Sequence, residues 1–156
     1  MATKKMAIIA TKGALDMAYP PLILASTAAA IGWEVQVFFT FYGLQLLRKD
    51  LSGIAISPLA NPAMPMPVPM PVLVSVLPGM QAMATSMMKA KMKKKGVASL
   101  EELRTLCQEA DVKFIACQMT IDLFEFKKSE FIDGIDYGGA ATFLEFASEA
   151  DITLFI

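Results

Sequence analysis

Within its first forty residues the chain sets out strand, helix and strand in a row, and this narrows its fold more than any other feature. Residues 5–11 form a compact apolar run that stops at Lys12-Gly13, as a buried strand running into a loop does. Asp16 is placed to cap the next helix. Leu22, Ile23, Ala25, Ala28, Ala29 and Ile31 fit that helix, which ends at Gly32, with Pro20-Pro21 delaying its regular part. Residues 33–40 alternate and are rich in β-branched and aromatic side chains, the mark of a second strand. A βαβ opening predicts parallel pairing and a right-handed crossover.

The next stretch resists a simple assignment. Residues 41–49 suit a short helix whose Arg48 and Lys49 sit where the helix dipole favours positive charge. Residues 53–59 are a candidate third strand. Leu51 to Met88 is 38 residues without one charge, long enough for a membrane span, but seven prolines oppose that reading. In NPAMPMPVPMP (61–71), proline at alternate positions from 65 to 71 removes backbone donors and forces an extended path. Residues 61–78 therefore read as a Met/Pro-rich segment packing methionines against an apolar surface. Met80, Met83, Ala84, Met87, Met88 and Met92 then keep helical spacing over 79–95, and five lysines crowd that helix's end. Such a helix faces the core or a second subunit, or else offers a Met-rich surface to a partner or a lipid headgroup region.

From Ser99 the pattern is regular again. Ser99 with Glu102 is a capping box opening a helix to about Ala110, with Leu100, Leu103, Leu106, Cys107 and Ala110 as its stripe. A strand at 113–117, a helix from Met119 to Phe126, a glycine-containing turn at 135–139, a helix at 140–150 and a final strand at 152–156 complete the chain. Five strands alternating with helices in 156 residues make one domain, an α/β flavodoxin-like, open, mostly parallel five-stranded sheet with helices on both faces. A chain of this length buries a core without disulfide or metal staples.

Composition removes several kinds of chemistry. With no histidine, neither a Ser-His-Asp triad, a Cys-His dyad nor a histidine metal site can form within one chain, and two cysteines cannot close a four-ligand zinc site. Methionine-bound copper is disfavoured because Met64, Met66 and Met70 have no cysteine or histidine nearby in sequence. Residues 1–95 carry ten Lys/Arg against three Asp/Glu, and residues 96–156 four against twelve. Portions of +7 and −8 favour self-association or a local anion patch, whereas a net charge of −1 argues against nucleic acid. The N-terminal apolar run is too short for a signal peptide, so a cytoplasmic location with reduced thiols is expected.

In an open α/β sheet the functional crevice lies beyond the carboxyl ends of the strands. Three segments end there, Thr11-Lys12-Gly13 through Asp16, Thr40-Phe41-Tyr42-Gly43, and Cys117-Gln118-Met119-Thr120, and only the last holds a nucleophile. A cysteine where a strand runs straight into a helix meets unpaired amides that favour thiolate. Cys107, on a helix's apolar stripe, reads first as a packed small hydrophobe, although a helix and its adjoining strand can bring two such residues close. Lys12 and Asp16 are either solvated loop residues or the lining of an anionic pocket, and Tyr42 either packs or lines it.

TKGALDMAYPPLILASTAAAIGWEVQVFFTFYG, NPAMPMP, LPGMQAMAT, the ACQMTIDL junction and YGGAATFLEFA together resemble the DsrE/DsrF/DsrH-like family over nearly the whole chain, closest to its DsrE-like subgroup labelled peroxiredoxin-like. The resemblance implies a small flavodoxin-like fold, homo-oligomerisation and transfer of sulfane sulfur held on cysteine as persulfide or thiosulfonate, with no organic cofactor and no metal. Cys117 matches the sulfur-carrying cysteine of the junction and Cys107 a second cysteine of the subgroup. Lys12 to Tyr19 match pocket-forming residues, and Tyr42, Gln118, Met119 and Thr120 complete the expected substrate contacts. Sulfur-donor and sulfur-acceptor proteins or small sulfane compounds are the implied partners. Unlike some relatives, the chain has no clear transmembrane pair in its middle. The alternative is a non-catalytic oligomeric module that docks a partner or touches a membrane through the Met-rich helix.

Overall fold

The computed structural model describes residues 2–156; Met1, the first residue of the expected domain, lies outside them. Five strands form one sheet: β1 (Lys5–Ala10), β2 (Glu34–Phe39), β3 (Lys113–Cys117), β4 (Asp136–Gly138) and β5 (Ile152–Phe155). Every pair is parallel, and the order is β4-β3-β2-β1-β5. The chain steps in one direction from β1 to β4 and then crosses back to place β5 beside β1. Right-handed crossovers in one direction put their helices on one face of the sheet, and the return crossover puts its helix on the other. The core divides in this way. On one face, α1 (Leu15–Ala30) and α4 (Leu100–Glu109) share a core with Ile8, Val37, Phe39, Phe114 and Ala116, and α3 (Met80–Lys94) packs against that same cluster. On the other, α6 (Ala140–Ala147) sets Phe143 and Phe146 over Ala7, Phe38, Ile115 and Cys117.

Helix ends obey local chemistry. Ser99 Oγ accepts the Glu102 amide at 3.1 Å, and the Glu102 carboxylate accepts the Ser99 amide at 2.6 Å, so the expected capping box starts α4. Asp16 is not the cap of α1. That position is Ala14, and the helix runs through both Pro20 and Pro21. The Asp16 carboxylate instead accepts the amide and the hydroxyl of Ser57, each at 2.7 Å.

That tether explains why residues 53–59 form no strand. Their backbone groups are satisfied elsewhere: the Ala55 carbonyl accepts the Leu15 amide at 2.7 Å, and the Ile56 amide donates to Thr85 Oγ1 at 3.2 Å. The segment lies as an irregular strap whose Ile54, Ile56 and Leu59 join the main core. The fifth strand is β4, formed where the residues suggest only a glycine-containing turn. Residues 41–49 wind as a 3-10 turn over Phe41–Leu47 rather than an α-helix. Within the Met/Pro segment lies a single short helical turn, α2 (Val72–Ser75). On α3, Met80, Met88 and Met92 pack on the core, while Met83 and Met87 of the expected stripe are exposed. No helix among the described residues is long and apolar enough to cross a membrane.

Candidate functional site

Three chain segments meet beyond the carboxyl ends of β1, β2 and β3, and glycine lets two of them touch. A Cβ on Gly43 would stand 2.1 Å from the Ala10 carbonyl oxygen, and one on Gly13 would stand 2.4 Å from the Tyr42 carbonyl oxygen. Backbone therefore packs on backbone, holding the end of β1 against the turn after β2. Phe41 opens that turn at φ +48°, a left-handed conformation uncommon for an aromatic residue.

Cys117 ends β3 and is the N-cap of α5 (Gln118–Leu123). It is 4% exposed and belongs to the smaller core under α6, where Phe38 and Phe143 stack at 5.3 Å. Register runs Phe39 opposite Ala116 and Cys117 opposite Gly138, so Thr40 is the next residue across from Cys117 on the β2 side. Thr120, 0% exposed, projects its hydroxyl to within 3.2 Å of the Thr40 hydroxyl and accepts the Phe41 amide at 3.1 Å. Burial pushes the Cys117 thiol up. The hydroxyls of Thr120 and Thr40 and the amides of Thr120 and Met119 outweigh burial and hold the thiol below its ordinary value.

The second cysteine has the opposite surroundings. Cys107 is 0% exposed in the main core, its thiol directed to the Leu22 carbonyl at 3.4 Å, and burial pushes its pKa up to about 12. It packs with the α1 and α4 side of the sheet while Cys117 packs with α6, so the sheet separates the two sulfurs and the structure does not bring them together. Both are free thiols.

Of the remaining expected residues, Lys12 and Tyr42 do meet. With Gly13, Met17, Gln45 and Ser57 they line a shallow pocket of about 370 Å³. Tyr42 is 65% exposed and stacks on Phe124 at 6.1 Å. Asp16 does not reach into this pocket as a free carboxylate, because both its oxygens are held by Ser57. Gln118 donates to Asp122 at 2.8 Å, and Met119 stands 58% exposed beside the junction. Thr120 is too deeply buried to meet solvent. The sequence puts Thr40, Phe41, Gly13 and Gly43 in segments that end at the crevice but gives them no part in the site; their contacts with Thr120 and with neighbouring backbone come from the fold. Only the tyrosine-flanked glycine at 43 carries a local signal, since Thr40 gains its place through parallel register.

The DsrE/DsrF/DrsH-like family profile matches residues 2–155. The chain belongs to the DsrE/DsrF/DrsH-like family. It is 68% identical to the sulfur carrier protein DsrE2 of Allochromatium vinosum, with all of both chains covered. It is also 35% identical to the uncharacterised protein YrkE of Bacillus subtilis, over 99% of this chain and 98% of that one. Among solved structures, the YchN protein from E. coli shares the fold with a TM-score of 0.56 at 12% identity, covering 99% of this chain and 100% of that one.

Proposed function

We propose that this protein is a sulfur carrier that holds sulfane sulfur covalently on Cys117. The observation that carries the reading is the place of Cys117, at a strand-to-helix junction beside the paired hydroxyls of Thr40 and Thr120, in a chain so like a sulfur carrier over its full length. The Cys117 thiolate attacks the outer sulfur of a donor persulfide R–S–SH. A new S–S bond forms as the donor's S–S bond breaks, and R–S⁻ leaves with the bonding pair. An acceptor thiolate then attacks the terminal sulfur of the Cys117 persulfide and regenerates the Cys117 thiolate. No net oxidation occurs in either step. With tetrathionate as donor, attack gives the thiosulfonate adduct and releases thiosulfate. Free thiols fit a reducing, cytoplasmic setting.

Lys12 and Tyr42, which line one pocket, are the residues assigned to receive an anionic donor, and Gln118 and Met119 follow Cys117 directly in the chain. Cys107 takes no part in the exchange and serves as packing. Intact mass after incubation with polysulfide or tetrathionate tests the reading: the parent gains the adduct, and Cys117→Ser does not. Equal loading of the serine variant would end it.

A second role, association through the Met/Pro segment, is favoured by the exposed Val72, Leu73, Val76 and Leu77 just before α3 and Met83 and Met87 on it. We infer a homo-oligomer formed on this surface. Sedimentation velocity of the parent against Leu73→Lys tests it, with a smaller species expected for the variant.

A further inference from the structure

Thr120 is fully buried, and its hydroxyl has neighbours that constrain where its proton can point. One lone pair of Thr120 Oγ1 accepts the Phe41 amide at 3.1 Å. Thr40 Oγ1 lies 3.2 Å away, and either oxygen of this pair can be the donor. Thr40 sits across from Cys117 by strand register, and Thr120 is the third residue after Cys117, in the first turn of α5. The apolar cluster that holds Cys117 draws Ala7, Phe38, Ile115, Phe143 and Phe146 from β1, β2, β3 and α6.

We propose that Thr40 and Thr120 are a pair of positioning residues that swing a hydroxyl proton between each other and the Cys117 sulfur as that sulfur changes from neutral to anionic. When Cys117 is a thiol, one hydroxyl donates to the other and the pair is satisfied internally. When it is a thiolate, that donor rotates to the sulfur, with no proton leaving either oxygen. The Phe41 amide makes this possible by occupying a Thr120 lone pair, which keeps the Thr120 proton directed away from the backbone. The left-handed Phe41 is what presents its amide there. Hydroxyl donors also suit a persulfide or thiosulfonate, whose terminal charge replaces the thiolate at the same junction, so the inference rests on the sulfur-carrier reading for its use.

Ultraviolet titration of the thiolate band, taken as the difference between each protein and its Cys117→Ser counterpart, tests the pair without any sulfur donor. Cys107 cancels in that difference and stays protonated to about pH 12. Thr120→Val and Thr40→Val remove one hydroxyl each at nearly constant volume. Both are expected to move the Cys117 midpoint upward, and Thr120→Val to cut the thiolate fraction near neutral pH about tenfold, one pH unit. Thr120→Ser keeps the hydroxyl and is expected to stay near the parent. If the folded valine variants titrate with the parent's midpoint, or the serine variant shifts as far as the valine one, the proposal is overturned. Should Thr120→Val not fold, Thr40→Val alone decides. A parent that titrates as expected yet never takes up sulfur would end the carrier reading and leave this one standing. Loading that proceeds while the valine variants are unshifted would do the reverse.

Discussion

The two cysteines are almost equally hidden, yet their surroundings drive them in opposite directions. Cys107 lies among aliphatic side chains between α1, α4 and the sheet with one carbonyl to face, and burial holds it as a thiol. Cys117 lies under aromatic rings on the other face, but at a strand-to-helix junction beside the Thr40 and Thr120 hydroxyls, and its thiol is held below its ordinary value despite burial. Burial alone therefore does not decide the chemistry of a thiol. The decisive difference is whether the backbone at that point is inside an element, with its polar groups already paired, or at an end, with donors to spare.

The contrast can be broken most severely at Gly43. Gly43→Ala sets a methyl group into the Ala10 carbonyl, so the turn carrying Thr40 and Phe41 must move away from β1. Urea unfolding is expected to show a loss of several kcal/mol, and in any folded fraction the Cys117 titration midpoint should rise. A variant of parent stability would show that the two segments are not in backbone contact.

Phe143→Ala strips the ring that stacks on Phe38 over the Cys117 side, with an expected cost of about 3 kcal/mol or more. In the folded variant, a bulky maleimide should react at Cys117 faster than with the parent, while Cys107 stays unlabelled. Labelling at Cys107 instead would mean that the two faces are not insulated from each other.

A pH series sharpens the other half. A thiol whose folded pKa is raised contributes stability in full below the unfolded value, and loses it as pH climbs toward the folded one. For Cys107 that window runs from about 8.5 in the unfolded chain to about 12 in the folded one. The parent should lose about 2 kcal/mol by pH 10 from this group alone. Cys107→Ala should show a correspondingly flatter alkaline slope in denaturant unfolding. The sign is reversed for Cys117, whose lowered value adds stability as pH rises toward that of a free thiol.

The smallest effect is expected at Asp16→Ala, which deletes both bonds to Ser57 and frees the strap, for a cost of about 1–2 kcal/mol. Cys117 titration should be untouched by it. A change there would give Asp16 a place in the chemistry beyond its tether.

Much of this is readable from the residues, where local chemistry and periodicity agree. The βαβ opening, the Ser99 capping box and the Cys117 junction are each written in a few neighbouring positions, and each stands where expected. The exceptions share a cause. β4 is three residues at a sheet edge with glycine at its end, too short to show alternation, and it exists because β3 is there to pair with it. Residues 53–59 have strand composition, but Asp16, Thr85 and Leu15 take their hydrogen bonds before any neighbouring strand can. Thr40 meets Cys117 across the register of two strands more than seventy residues apart, a relation that no local pattern encodes. Separation of the two cysteines likewise comes from alternation along β3 and from the return crossover, not from their spacing in sequence.

That return crossover also sets an order of events during synthesis. β1, β2 and β3 leave the ribosome before α6 and β5, so the face bearing Cys117 can be covered only once the last part of the chain has emerged. A nascent chain paused between the two would display a sulfur that the finished protein keeps under a roof.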